Sequence, residues 1–261
     1  MSTPSPPPLL LDLDVVIITL DRANVKRAQR CFRNAIERLG FGADRIHFLD
    51  ATRGSALSDQ DIANLVTPRA RHELRHGRFD TAALSGVNSV GCFLSHRDAW
   101  QRCVESKRDL VVMEDDYVTR NQNVQDFAET YAREMPRGGG GGGGGVLRCG
   151  YTFDFQGAMF YIVSPEAAAA LLRQSDNAAI DCHVDHYLNF MHDAGEIRQH
   201  FSTQKYYSFL DLITTGSTIS HNQVRWNVAW WKLAALCALV SAATTIIVVV
   251  VMRRRHRSRK N

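Results

Sequence analysis

Short continuous apolar runs alternate along the chain with longer stretches in which apolar residues recur every three or four positions. Val15-Val16-Ile17-Ile18-Thr19-Leu20 is a β-branched run of the kind found in strands buried on both faces. Residues 24–39 place Val25, Ala28, Phe32, Ala35, Ile36 and Leu39 on one side, the spacing of an amphipathic helix. Asp21 stands where a cap would begin it and Gly40 where a C′ glycine would end it. Ile46-His47-Phe48-Leu49 is a second strand, closed by Asp50. This strand–helix–strand opening predicts a nucleotide-binding α/β sheet. Residues 55–80 read as helical but polar. The segment 86–96 leads into a helix through Trp100 and Val104, and 110–113 is another apolar strand that ends in Glu114-Asp115-Asp116. Residues 157–163 form a strand, after which Ser164 and Pro165 are N-cap and N1 of an Ala-rich helix over 165–173. A further short helix starts at 183–188.

Two segments break the pattern. Residues 138–145 are eight consecutive glycines, which read as a flexible loop and lack the Lys-Ser/Thr of a phosphate loop. Residues 233–252 (LAALCALVSAATTIIVVVVM) carry no formal charge, and about 20 residues span a ~30 Å hydrocarbon core. Trp226, Trp230 and Trp231 precede this run and RRRHRSRK follows it, the flanks of a single-pass transmembrane helix rather than of a core helix. The expected organisation is a disordered lead-in (1–13), a catalytic domain (14–225), a Trp-flanked membrane helix (226–252, core 233–252) and a basic tail (253–261).

Charge then changes the picture in one respect. The formal net charge is +4, and the tail at 253–260 holds six of the Lys and Arg residues, so the remainder sits near −2. The basic balance belongs to a membrane flank and excludes a nucleic-acid partner. The tail favours a cytosolic C-terminus by the positive-inside rule. The N-terminus has no basic n-region, and Asp12 and Asp14 interrupt its apolar run, which points instead to tail-anchored insertion with the domain facing the cytosol. These cues leave an endomembrane location with orientation undecided. Cys31, Cys92, Cys103, Cys149, Cys182 and Cys237 form no CxxC pair and read as buried free thiols.

Candidate chemistry gathers at the ends of these elements. Three adjacent carboxylates after an apolar strand repel one another, and a divalent cation shared with a nucleotide diphosphate relieves that repulsion. A charged turn is the bland alternative. Ser95-His96 is no catalytic dyad, because neighbours on a helix point about 100° apart; His96 either contacts substrate or is a satisfied core histidine. Asp185, between His183 and His186, either acts as a base toward an acceptor hydroxyl or merely starts a helix. The Arg/His-rich stretch 69–78 is either a phosphate-binding surface or a solvated helix face.

Four blocks in order resemble glycosyltransferase family 25, the lipopolysaccharide-type sugar transferases that include collagen β-galactosyltransferases. They are IleIleThrLeuAspArg (17–22) with Lys26-Arg27 and Leu49-Asp50-Ala51; GlyCysPheLeuSerHis (91–96) with Trp100; ValMetGluAspAsp (112–116); and GlyAlaMetPheTyrIleValSer (157–164) with ValAspHisTyrLeu (184–188). The resemblance spans about 14–220. It implies a GT-A-like (Rossmann-like) α/β fold, a UDP-galactose-like nucleotide-sugar donor and a divalent cation, Mn²⁺ or Mg²⁺. It implies further that Asp115 and Asp116 serve the metal, that Arg22, Asp50, Ser95 and Glu114 lie near the donor, and that Asp185 and His96 take part in catalysis. The expected acceptor is a hydroxyl of a glycan, a lipid-linked glycan or hydroxylysine. Asn88-Ser89-Val90 stands where the family often has Gly-Glu-Ile, which together with the glycine run motivates a second expectation, a membrane-bound adaptor that retains the fold without turnover.

Overall fold

The computed structural model describes residues 13–20, 25–77, 82–117, 124–137, 144–149, 151–152 and 155–203. All of them fall in the first of two units into which the chain divides, Met1–Asn222. The expected membrane helix, its tryptophans and the basic tail lie outside the described residues, as do Asp21 and Arg22. Among the described residues no helix is long and apolar enough to cross a membrane.

The elements run in order: β1 (Asp14–Thr19), α1 (Val25–Leu39), β2 (Ile46–Asp50), α2 (Asp59–Leu65), α3 (Pro68–His76), α4 (Val87–Ser106), β3 (Leu110–Glu114), α5 (Val124–Glu134), β4 (Gly145–Arg148), β5 (Tyr151–Thr152), β6 (Phe155–Gln156), β7 (Phe160–Val163), α6 (Pro165–Asn177), α7 (Val184–Asp193) and β8 (Arg198–Phe201). Strands β5 and β6 pair only with each other. The other six form one sheet in the order β2-β1-β3-β7-β4-β8. Every neighbouring pair is parallel except the two that involve β7. The sheet is a mixed α/β sheet, as its alternating strands and helices predict.

Period-two alternation divides each strand between two cores. Val16, Ile18, Leu110, Val112, Tyr161 and Val163 face one cluster, which takes in α4, α6 and α7. Val15, Ile17, Val111, Met113, Phe160 and Ile162 face the other, which takes in α1 and α5. Burial on both faces explains the unbroken apolar runs of β1 and β3. Of the expected α1 stripe, Ala28, Ala35 and Leu39 are buried and Phe32 and Ile36 half-buried; Cys31 is buried beside them, and Gly40 ends the helix at φ +75. Ser164 caps α6 through the Ala167 N–H, with Pro165 at the first helical position.

Leu13 is buried in the α1-side core. Three expectations are corrected. The polar stretch 55–80 contains two helices, because Val66 leaves the first to bridge Ile180 and Thr67 caps the second on the Ala70 N–H. The predicted strand over 157–163 begins only at Phe160. The glycine run is not wholly a flexible loop: Gly144 and Gly145 are buried, and Gly145 opens β4. A Cβ at Gly144 would stand 2.0 Å from Ala167 N, and one at Gly145 would stand 2.0 Å from Pro136 O, so backbone contact forbids any side chain there. Residues 138–143 lie outside the described residues.

Candidate active site

Strand β1 sits between β2 on one side and β3 on the other, so the connections leave it in opposite directions. A crevice at the carboxyl ends of strands beside such a switch point is where open α/β sheets bind ligands. The acidic turn lies there. Its backbone is fixed from both sides: Asp115 N donates to Ile18 O at 3.0 Å, and Glu114 N donates to Met159 O at 2.9 Å. Tyr117 N closes the turn on Glu114 O at 3.0 Å.

Glu114 continues the alternation that faces Val112 to α4, whereas Asp115 falls on the α1 side with Thr19. Glu114 Oε1 lies 3.3 Å from His96 Nε2. Asp115 Oδ2 accepts from Thr19 Oγ1 at 2.7 Å. Arg27 of α1 reaches Asp116 Oδ2 at 3.4 Å and Asp115 Oδ1 at 4.0 Å. Asp116 is only 5% exposed, and its Oδ1 is buried without a hydrogen-bond partner among the described residues.

The electrostatics follow from this crowding. Burial, then the Glu114 charge, pushes Asp116 up to about 7 against the pull of Arg27. Burial also raises Asp115, with Glu114 adding to it and Thr19 and Arg27 opposing it.

Of the predicted site residues, the structure brings Glu114, Asp115, Asp116 and His96 together. Asp185 lies in the first turn of α7, where its Oδ1 accepts from the His186 N–H at 3.0 Å. Burial, then Glu114, Asp185 and Asp116, pushes the Cys92 thiol well up. Asp50 ends β2 and pairs in register with Thr19, one strand away from the turn, and is exposed. Ser95, expected near the donor, lies on α4. It is fully buried, accepts from Thr52 N at 2.9 Å and donates to Gly91 O at 2.7 Å, so it ties α4 to the loop after β2. His96 is also fully buried.

Several residues at the site carried no separate signal in the sequence. Thr19 closes an apolar strand and looks like part of it. Tyr161 reads as a core aromatic, yet its hydroxyl meets His96 Nδ1 at 2.8 Å and accepts from Trp100 Nε1 at 2.9 Å. Arg148 is 1% exposed and donates to Asp185 O at 3.3 Å and Asn189 Oδ1 at 3.0 Å, which holds the first turn of α7 against β4. Burial lowers its pKa to about 10. A lone arginine in an apolar run was the available clue. Cys92, His96 and Glu114 each offer a ligand atom within 4.8 Å of the others; Asp115 and Asp116 do not belong to that group. Two hollows of about 370 and 530 Å³ lie elsewhere, one between α4 and α6 and one beside α5 and β8, and neither includes the acidic turn.

Fold and turn together define an α/β protein with an acidic turn at the carboxyl ends of β1 and β3. Residues 13–135, a little under half of the chain, match the family model described as glycosyltransferase family 25 (LPS biosynthesis protein). Over that stretch the chain is similar to the glycosyltransferases of family 25. The match contains the first three sequence blocks and stops before the fourth. No curated protein matches the chain significantly. Among solved structures, mouse xyloside xylosyltransferase 1 in its apo form is similar at 11% identity, with 77% of this chain and 82% of that chain covered. Its TM-score of 0.33 is too low to support any statement about this protein.

Proposed function

We propose that this protein transfers a sugar, galactose in the first instance, from a UDP-sugar to a hydroxyl of a glycan, lipid-linked glycan or hydroxylysine acceptor, with help from Mn²⁺ or Mg²⁺. The observation that carries the reading is the buried Asp116 Oδ1, without a partner among the described residues, in a turn of three carboxylates at the switch point. Such cations are held by one or two carboxylates together with substrate phosphates, and the oxygen ligands present fit that demand. Asp116 would hold the ion, with Asp115 beside it. When bound, the ion supplies positive charge against the departing nucleoside diphosphate.

The chain's own residues do the rest. Thr19 and Arg27 orient Asp115 and keep Asp116 at the floor of the cleft. Arg148 fixes the first turn of α7, and so the place from which Asp185 takes the proton of an acceptor hydroxyl. Support for a GT-A-like organisation comes from the parallel β1, β2 and β3 around the switch point. Anchorage by 233–252, in an endomembrane, rests on the sequence of that segment.

The test is transfer by the purified full chain from a panel of nucleotide sugars, with Mn²⁺ and with chelator. Expected is donor-specific transfer that chelation abolishes and Asp116→Ala reduces. Calorimetry without any nucleotide binding would instead favour the adaptor. Resistance of the expressed chain to alkaline extraction from membranes tests the anchor separately.

A further inference from the structure

Two uses compete for one nitrogen beneath the acidic turn. His96 Nε2 faces both the Glu114 carboxylate and the Cys92 thiol, so it either carries a proton toward Glu114 or lends its lone pair to a metal ion. The hydrogen bonds behind the ring decide between them. The indole Nε1–H of Trp100 is a donor only, and it donates to the Tyr161 hydroxyl at 2.9 Å. The other hydrogen-bond partner of that hydroxyl is His96 Nδ1 at 2.8 Å. Trp100, Tyr161 and His96 are all fully buried, so solvent does not take the phenol's proton. The phenol therefore donates to Nδ1, the ring's own proton lies on Nε2, and Nε2 donates to Glu114 Oε1.

We propose that Trp100 and Tyr161 are positioning residues: they fix His96 as the Nε2–H tautomer, and through it hold the Glu114 carboxylate in place at the cleft. The consequence for turnover rests on the glycosyltransferase reading, while the tautomer itself does not. Metal ligation by Nε2 requires a proton on Nδ1, aimed at a hydroxyl that already accepts from Trp100. The buried phenol proton then loses its partner, at a cost on the order of ten- to a hundredfold in population. Ring contacts agree with a fixed imidazole: His96 stacks on Tyr161 with centroids 5.6 Å apart.

Two-bond ¹⁵N–¹H correlation spectra of the ¹⁵N-histidine-labelled full chain read the tautomer directly. Expected is an Nε2-protonated His96 in the native protein and a mixed or switched pattern in Tyr161→Phe, a variant that removes a single oxygen. An Nδ1-protonated native ring overturns the proposal. So does a cobalt(II) thiolate charge-transfer band that Cys92→Ser abolishes, since it makes Nε2 a metal ligand. Kinetics add a readout that packing alone would not move. His96→Ala and Tyr161→Phe are expected to lower kcat/KM for the donor about tenfold. His96→Gln, whose amide N–H reaches the Nε2 position, restores it to within about threefold, whereas His96→Asn does not. Equal losses for Gln and Asn sink the positioning role and leave the transferase reading intact. Absence of transfer by the native chain from every nucleotide sugar, with Mn²⁺ present, overturns the transferase reading while leaving the tautomer result standing.

Discussion

On the α4 side of β3, Glu114 is met by an imidazole backed by a phenol and an indole. On the α1 side, Asp115 and Asp116 are met by the Arg27 guanidinium and the Thr19 hydroxyl. The first arrangement is a chain of directional hydrogen bonds in which each donor has one acceptor, and it constrains geometry. The second is a crowd of charge in which one carboxylate oxygen has no partner among the described residues and Asp116 is pushed up to about 7. Low local polarity strengthens both, but with opposite results: it stabilises satisfied hydrogen bonds and penalises uncompensated charge. One side holds a group still, and the other leaves a buried carboxylate oxygen without a partner among the described residues.

The largest effect that sharpens this contrast is on turnover. Asp116→Ala should lower kcat by about 10²–10³, the scale for losing a group that stabilises charge developing in a transition state. Steady-state transfer assays at saturating donor and Mn²⁺ check it.

Next comes the docking of α4, which carries His96. Gly91 faces the loop after β2, where a Cβ would lie 2.3 Å from Thr52 O and 2.6 Å from Gly54 N. Gly91→Ala should therefore destabilise the protein by about 1–3 kcal/mol, since backbone on both sides cannot yield easily. Denaturant unfolding reads this loss. Cation binding at Asp116 should weaken less than it does in Asp116→Ala.

The α1 side should show itself in the pH dependence of stability. Asp116 rises from an ordinary 3.8 to about 7 in the folded chain, so its folded state binds the proton more tightly than its unfolded state. Its contribution is complete below the unfolded value and is lost as pH rises through about 7. With chelator present, Asp116→Asn should gain on the native protein by on the order of 2 kcal/mol between pH 5 and pH 8. Paired thermal melts across that range test the sign.

The smallest expected effect is that of Thr19→Val, which keeps the shape and removes the hydroxyl. It should cost about 1 kcal/mol and raise the Asp115 carboxyl further, because that hydrogen bond favours the ionised form. Titration of Asp115 by carboxyl NMR in both proteins reads the shift.

How much of this was legible beforehand depended on whether a feature is local. The β1–α1–β2 opening, the α6 cap and the strand that delivers Glu114-Asp115-Asp116 are written in residues close together in sequence, and they stand where the pattern put them. Strands β4 and β8 and helix α5 were not anticipated. β4 begins inside a glycine run that carries no apolar pattern, and β8 (Arg198–Phe201) is too polar to announce itself. Ser95 shows the same limit at the site. Its neighbour His96 faces the carboxylates, but Ser95 lies on the side of α4 that meets the Thr52 N–H, a partner 43 residues away in sequence.

By itself the sequence determined the elements, the acidic turn and its place at the end of a buried strand, because propensity, periodicity and capping act over a few residues. Only the tertiary structure decided which side chains the turn meets. Thr19, Arg27, His96 and Tyr161 come from four separate elements, and packing β1, β3 and β7 between two helical layers brings them within hydrogen-bond reach. Whether a carboxylate is satisfied, as Glu114 is, or left partly uncompensated, as Asp116 is, depends on that three-dimensional company and on the burial that raises the cost of lacking it.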